Sequence, residues 1–151
     1  PKLGNLFVEV NDSFSAYAVG THRHQPEIVD IVDRFTGTKP NLIFTPHLVP
    51  MDRGILSTIY VRPTDGVSAN QIRECLSGFY DGTHGFVRVV SHLPTTKHVA
   101  HTNYCDITVR ENNEWIILVS VLDNLVKGAS GAAVQCLNVM FDLDQSLGLG
   151  A

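Results

Sequence analysis

Hydrophobic and polar positions along the chain indicate helices where they recur with helical spacing, and this pattern is clearest after Pro26. The first predicted helix begins near Gln25, because Pro26 suits a first turn whose N–H groups have no partner within the helix. It ends before Gly37 and Pro40, which are typical helix stop signals. Its apolar residues form one buried stripe at i, i+3, i+4 and i+7: Ile28, Ile31, Val32 and Phe35.

Two further helices are predicted in the second half of the chain. One begins after Ser68, because Ser68 and Gln71 have the spacing of a capping box, and it ends at residues 81–82. Its apolar stripe consists of Ile72, Cys75, Leu76 and Phe79. The other covers about residues 126–141, where several glycines and alanines let it approach another surface closely.

Alternating or continuous apolar stretches predict short strands over residues 7–10, 13–19, 42–45, 54–62, 86–91, 105–110 and 114–122. Residues 54–62 carry apolar side chains on both faces, which is typical of a central strand covered on each side. Residues 105–110 alternate, and the inward positions are Ile107 and Val109 while the outward ones are Asp106, Thr108 and Arg110. A hairpin turn is predicted at residues 112–113.

Strands and helices are therefore interspersed, without an internal repeat or a linker. This order predicts an α+β fold, with a mixed, largely antiparallel sheet and helices packed on one face. The length of 151 residues, of which 44% are hydrophobic and 17% charged, is enough for one domain with its own core. We therefore expect a single domain over residues 1–151.

Charge and cysteine content restrict the classes of function. The net charge of −4 and the lack of a Lys/Arg run argue against nucleic-acid binding. The sequence has no run of 18 apolar residues, so we expect a soluble protein without a membrane partner. Cys75, Cys105 and Cys136 have no CxxC spacing, and we expect reduced, buried, structural thiols in the cytoplasm, or in a plastid or mitochondrion if the source is eukaryotic.

The densest titratable chemistry lies in residues 20–27, just before the first predicted helix. A histidine near a helix N-terminus tends to be neutral, and then exchanges a proton with a thiol or an oxyanion. His22 and His24 are the candidates for this role, and Arg23 offers a planar fork for a carboxylate or phosphate. Exposed histidines with a solvated arginine are one alternative. A metal pair is another, although no third ligand has the expected spacing and we assign no metal.

A second candidate stretch covers residues 123–129, between a predicted strand and the third helix. The backbone amides at this helix start and the Asn124 amide are positioned to contact a ligand, and a capped helix start is the alternative. The sequence contains no GxGxxG or Walker motif of its own. The remaining histidines are interpreted as surface or loop residues: His47, His84, His92, His98 and His101.

Together these segments resemble the N-acetyl-gamma-glutamyl-phosphate reductase family. The matching segments are residues 17–28, 44–48, 53–56, 103–107 and 123–135, within a similarity that runs from about residue 5 to residue 141. The resemblance implies NADPH-dependent reduction of an acyl phosphate, N-acetyl-gamma-glutamyl phosphate, to N-acetylglutamate semialdehyde and phosphate in arginine biosynthesis. It also implies a homo-oligomer, and a domain like the C-terminal domain of glyceraldehyde-3-phosphate dehydrogenase.

Two parts of the family pattern are missing from this sequence. The family's nucleophilic cysteine lies in a Gly-Cys-Tyr-Pro-Thr motif, and its dinucleotide fingerprint is rich in glycine; neither is present here. We therefore expect the substrate-side and dimerisation domain, excised from a longer two-domain enzyme and inactive alone, with NADP bound mainly by the absent domain. The resemblance gives His24 and His22 acid/base roles, Arg23 a substrate-binding role and Asn124 a cofactor contact.

A different class of function also fits the sequence. The chain would then be an assembly module that associates with itself through its sheet and binds no ligand of its own. A metal-binding domain that uses His22 and His24 is a third hypothesis.

Overall fold

The computed structural model describes residues 3, 6–81 and 85–150, and the chain divides into two compact units, Pro1–Asp52 and Arg53–Ala151. We call them the N-terminal and C-terminal units. Within the described residues, no helix is both long and apolar enough to cross a membrane.

The N-terminal unit contains helix α1 (Phe7–Val10), strand β1 (Ser15–Ala16), helix α2 (His24–Thr36) and strand β2 (His47–Leu48). Strands β1 and β2 pair antiparallel. Helix α2 confirms the first predicted helix, and it ends where Gly37 adopts the left-handed conformation with φ 68°. Its stripe is only partly buried, because Ile31 and Phe35 are exposed in this structure.

Two strands predicted in this unit are wrong. Phe7–Val10 is a helical turn, and the Asn11 N–H closes it on the Phe7 carbonyl. Residues 42–45 are irregular, because the Phe44 N–H donates to the Gln25 side chain instead of to a neighbouring strand. Pairing occurs instead at β2, which includes His47, a residue interpreted from the sequence as a surface or loop residue.

The C-terminal unit is built on a four-stranded sheet in the order β3-β6-β5-β4. Its strands are β3 (Ile55–Val61), β4 (Val87–Val89), β5 (Cys105–Asn112) and β6 (Trp115–Leu122). The β3–β6 and β5–β6 pairs are antiparallel and the β4–β5 pair is parallel, so the sheet is mixed, as predicted. The predicted hairpin is confirmed, since Asn112 pairs with Trp115 across the turn.

Helix α3 (Ala69–Tyr80) covers one face of this sheet. The predicted capping box is present: the Gln71 N–H donates to Ser68 Oγ at 3.3 Å, and the Ser68 N–H donates to Gln71 Oε1 at 2.8 Å. The core under the helix consists of Ala69, Val109 and Ile116, with Val61, Ile72, Leu76 and Leu118 packed against it. The predicted α+β fold is thus confirmed.

Two details of the sheet differ from the prediction. Strand β3 is an edge strand and not a central one, and its Leu56 and Tyr60 side chains are exposed. Asp106 and Thr108, predicted to point outward to solvent, are buried. Alternation identifies the polar face of a strand, but it does not show whether another segment of the chain covers that face.

The buried polar groups of β5 have partners, as such groups require. Arg88 donates to both Asp106 carboxylate oxygens, from Nε at 2.6 Å and from Nη2 at 3.0 Å. Thr108 Oγ1 donates to the Val90 carbonyl at 2.9 Å.

The third predicted helix is present but is irregular at its start. A π-helical segment, Val126–Ser130, leads directly into helix α4 (Gly131–Met140). The close approach expected of its small residues is confirmed at Gly131, where a Cβ atom would collide with Asn103 Oδ1 and would lie 2.9 Å from Val126 Cγ1. Any larger residue at this position would push the helix away from the loop before β5.

Candidate functional site

The predicted histidine segment lies at the start of helix α2 in the N-terminal unit. Its approach is a turn in which the Thr21 N–H donates to the Ala18 carbonyl, and Gly20 takes the positive φ of 71° that favours glycine. Arg23 occupies the N-cap position and His24 is the first helical residue. The segment is therefore where the sequence predicted it, at a helix N-terminus.

The structure brings His22 and His24 together. Their ring centroids are 4.6 Å apart with the rings nearly perpendicular, and the Phe44 ring lies 5.3 Å from His22 and 6.1 Å from His24. The Tyr17 ring contacts His22 edge-on at 5.5 Å. An aromatic surface thus holds the two imidazoles in place on one side.

Hydrogen bonding distinguishes the two imidazoles. His22 is half-buried, and its Nδ1 accepts from the His24 backbone N–H at 3.2 Å. A neutral His22 therefore carries its proton on Nε2 and presents a donor. His24 is exposed, and neither of its ring nitrogens has a hydrogen-bond partner among the described residues. His24 is thus the imidazole with both nitrogens free for a reacting group.

Arg23 lies between the two histidines and is exposed. Its guanidinium has no ion pair or hydrogen bond in the part of the chain that the structure describes. The nearby groove of about 440 Å³ lies farther along α2, and its lining contains two carboxylates, Asp30 and Asp33, and one lysine, Lys39, so acidic groups outnumber basic ones there. The histidine segment itself is the better candidate site.

The second candidate residue, Asn124, lies in the C-terminal unit directly after β6. Its Oδ1 accepts from the Gly54 N–H at 2.7 Å. The backbone amides of Leu125 and Val126, which the sequence offered as ligand donors, instead donate to Asp123 Oδ1 at 2.8 and 3.1 Å. The capped helix start is therefore correct for these two amides, and among the described contacts the Asn124 Nδ2 group has no partner.

Asp123 is a fully buried carboxylate with four donors. In addition to the two amides, Oδ2 accepts from the His101 N–H at 2.7 Å and from Arg53 Nη1 at 3.1 Å. Burial by itself raises the pKa of Asp123, but these hydrogen bonds together outweigh it and lower the pKa to about 2. The carboxylate is thus fixed in its ionised form.

Arg53, Gly54 and Asp123 lie around Asn124, and the sequence did not predict this arrangement. Arg53 and Gly54 precede β3, and Asp123 and Asn124 follow β6, so the antiparallel pairing of Ile55 with Leu122 brings the two pairs together. A prediction that β3 pairs with β6 would have placed these four residues together. The sequence indicated only that both strands exist.

Among the residues that the structure describes, the other histidines do not form a second candidate centre. His47 stacks on Phe14 with centroids 5.0 Å apart. His92, His98 and Asp106 have ligand atoms within 4.8 Å of one another. However, Arg88 occupies both Asp106 oxygens, and the Thr95 N–H donates to His98 Nδ1 at 3.3 Å, which leaves the proton of a neutral His98 on Nε2.

The three cysteines are more accessible than predicted. Cys75 and Cys136 are exposed and Cys105 is half-buried with Sγ 3.4 Å from Ser120 Oγ, so the prediction of three buried thiols is wrong. Cys75 lies on α3 and Cys136 on α4, and both of these helices bury a narrower stripe than their apolar periodicity suggests. Phe79 on α3 is also exposed. His84 lies outside the described residues.

Comparisons with known proteins agree with the sequence resemblance. N-acetyl-gamma-glutamyl-phosphate reductase of Rhodopirellula baltica is 54% identical over 99% of this chain and 44% of its own length. The enzymes of the same name from Citrifermentans bemidjiense and Staphylococcus aureus are 52% and 47% identical, over 98% and 95% of this chain and 44% and 43% of their own lengths. The predicted resemblance to this family is confirmed.

The chain spans less than half the length of these curated relatives. The model of a protein family described as "Semialdehyde dehydrogenase, dimerisation domain" matches residues 1–124, which include the histidine segment and end at Asn124. The chain therefore belongs to the semialdehyde dehydrogenase dimerisation-domain family.

Proposed function

We propose that this chain is the substrate-side and dimerisation portion of an N-acetyl-gamma-glutamyl-phosphate reductase. Such an enzyme reduces N-acetyl-gamma-glutamyl phosphate to N-acetylglutamate semialdehyde and phosphate. The observation that carries the proposal is the near-complete match of the chain to reductases of that name, combined with the paired imidazoles at the start of α2.

The two histidines have different parts in this proposal. His24 is the acid/base group, because its ring is exposed and neither ring nitrogen has a hydrogen bond among the described residues. His22 orients the segment through its bond to the His24 backbone and presents Nε2–H as a fixed donor toward developing negative charge. The Phe44 and Tyr17 rings limit the movement of both imidazoles.

Arg23 binds the anionic group of the substrate. Arg23 is exposed, stands between the two histidines in the sequence and has no acidic partner in the described structure, so its donors are available to a carboxylate or phosphate. A planar fork of donors favours bidentate recognition of such groups.

NADPH supplies the hydride when it is bound, and we propose that a domain outside this chain holds most of it. Asn124 fits a cofactor contact, because its Nδ2 has no partner among the described residues and is suited to a carbonyl oxygen. The nucleophilic cysteine is likewise proposed to lie outside this chain. Cys75, Cys105 and Cys136 are not substitutes, since none lies in the sequence motif that carries the family's nucleophile.

The acid/base role is tested by His24→Ala and His22→Ala in the complete enzyme. We expect each to lower turnover by roughly 10²–10⁴-fold, the usual contribution of a positioned acid or base. The matched control is His92→Ala, an exposed histidine in the C-terminal unit. Wild-type turnover in both variants would refute the role of this segment.

A second function, self-association, is favoured by the sheet face that α3 does not cover. Side chains alternate along a strand, so Leu56 and Tyr60 lie opposite the face that carries Ile116 and Val109. Leu56 and Tyr60 are 51% and 63% exposed, and Tyr60 lines an open cavity of about 230 Å³ with Asn112, Trp115 and Ile117. We propose that a second copy of the chain covers this surface, which we call the β3–β6 face, in a homodimer.

A further inference from the structure

A glutamine in the first turn of helix α2 holds the stretch of chain that carries Phe44. The Phe44 N–H donates to Gln25 Oε1 at 3.1 Å, across 19 positions of the sequence, and both residues are half-buried. Residues 42–45 form no strand, so this bond satisfies an N–H that a strand would have paired with its neighbour. Gln25 therefore fixes the Phe44 backbone relative to the helix start.

A second hydrogen bond holds the end of the same stretch. The Tyr17 N–H donates to the Pro46 carbonyl at 3.1 Å, next to the pairing of Ala16 with His47 in β1 and β2. The chain around Phe44 is thus bonded to α2 through Gln25 and to the residue after β1 through Pro46.

The Phe44 ring contacts both imidazoles of the histidine segment. Its centroid lies 5.3 Å from that of His22 and 6.1 Å from that of His24, and aromatic rings in contact have centroids about 4.5–7 Å apart. The N–H of Gln25 also donates to the His22 carbonyl at 3.1 Å. Gln25 therefore fixes both partners of the contact, the histidine backbone through its own N–H and the Phe44 ring through its side chain.

We propose that Gln25 is a positioning residue for the histidine pair, and that it acts through Phe44, whose ring confines the two imidazoles on one side. The reacting group then approaches from the side that Phe44 does not cover. This inference rests on the acid/base roles in the proposed function and adds to them the residue that sets the geometry of the pair. Only the oxygen of the Gln25 side chain is required, because the Phe44 N–H needs an acceptor.

The positioning is tested first without turnover, by the rate at which diethyl pyrocarbonate modifies individual histidines of the complete enzyme. Gln25→Met removes the acceptor and keeps a side chain of similar length. We expect the half-buried His22 to be modified several-fold faster in this variant, because the Phe44 ring no longer covers it. The exposed His92 is the internal reference and should keep its rate. Mass spectrometry of the peptides measures both rates.

Two further variants control for charge and for general loosening. Gln25→Glu keeps an oxygen for the Phe44 N–H and should keep the wild-type rate at His22. Gln71→Met is the matched control, since Gln71 also lies in the first turn of a helix and accepts a backbone N–H, from Ser68 at 2.8 Å, but in the C-terminal unit. Equal acceleration at His22 in both methionine variants, or none in Gln25→Met, would overturn the positioning role.

Turnover then tests the action through Phe44. Gln25→Met should lower kcat about tenfold, because small displacements of a catalytic group are costly, and should leave KM within about twofold, because anion binding is assigned to Arg23. Phe44→Leu keeps the backbone N–H and removes the ring, so it should lower kcat similarly. The double variant should be no slower than Phe44→Leu alone. Additive losses in the double variant would contradict action through this ring.

Labelling and turnover together separate this inference from the one on which it rests. If Gln25→Met accelerates labelling of His22 but the alanine variants of His22 and His24 keep wild-type turnover, the acid/base role is wrong and the positioning role fails with it. If the alanine variants lose turnover and Gln25→Met changes neither labelling nor kcat, the acid/base role stands and only the positioning role is wrong.

Discussion

Asp123 shows how one buried carboxylate organises the end of strand β6. Four donors from three segments of the chain converge on it, so its charge is fully compensated without solvent. Asp123 follows a predicted strand, and from the sequence this position indicated only the end of that strand. The contacts with Arg53 and His101 come from residues 70 and 22 positions earlier in the chain, and no local pattern indicates them.

The lowered pKa of Asp123 predicts a specific pH dependence of stability. Its folded pKa of about 2 lies below the ordinary value of 3.8, so the ionised form stabilises the folded state. This contribution, on the order of 2 kcal/mol, is present above about pH 4 and is lost as the pH falls toward about 2. Asp123→Asn should remove it, so that the difference in unfolding free energy from the wild type shrinks over this pH range.

Urea unfolding at several pH values measures this difference. The control is Asp65→Asn, which changes an exposed carboxylate without a hydrogen bond in the described structure. A constant difference between Asp123→Asn and the wild type from neutral pH to about pH 2 would contradict the assignment.

At the scale of elements, local signals predicted helices well. The capping box at Ser68 and the stop at Gly37 involve residues within one turn of each other, and both are present in the structure. Strand positions in the sheet depend on pairing with distant residues, and apolar content on both faces did not distinguish an edge strand from a central one. The described residues leave apolar side chains of β3 exposed on both faces, and exposure is greatest at Leu56 and Tyr60.

The β3–β6 face makes the dimer proposal testable at this scale. Leu56→Asp and Tyr60→Glu should each weaken dimerisation at least tenfold, because a charge would be buried in an apolar interface. Phe79→Glu is the matched control, since Phe79 is 74% exposed and lies on the helix that covers the opposite face. Sedimentation of the purified chain measures the association.

Two results would contradict this dimer interface. One is a wild-type chain that sediments as a monomer at every concentration. The other is a dimer that is weakened by Phe79→Glu as strongly as by the two β3 variants.

For the whole molecule, the family was predictable because residues 17–28 and 123–135 carry its most specific matches. The sequence also placed His22, Arg23 and His24 correctly at the start of a helix. It did not predict which imidazole is free, because that depends on a hydrogen bond from the His24 backbone to His22 Nδ1. The two candidate segments lie in different compact units, one within Pro1–Asp52 and the other within Arg53–Ala151.

We propose that this chain supplies the proton-handling and anion-binding residues of an acyl-phosphate reductase but not its nucleophile. The most direct measurement is NADPH oxidation with N-acetyl-gamma-glutamyl phosphate, for the complete enzyme and for the purified 151-residue chain. We predict NADPH oxidation by the complete enzyme and none by the chain alone. Turnover by the isolated chain, or none by the complete enzyme, would contradict the account.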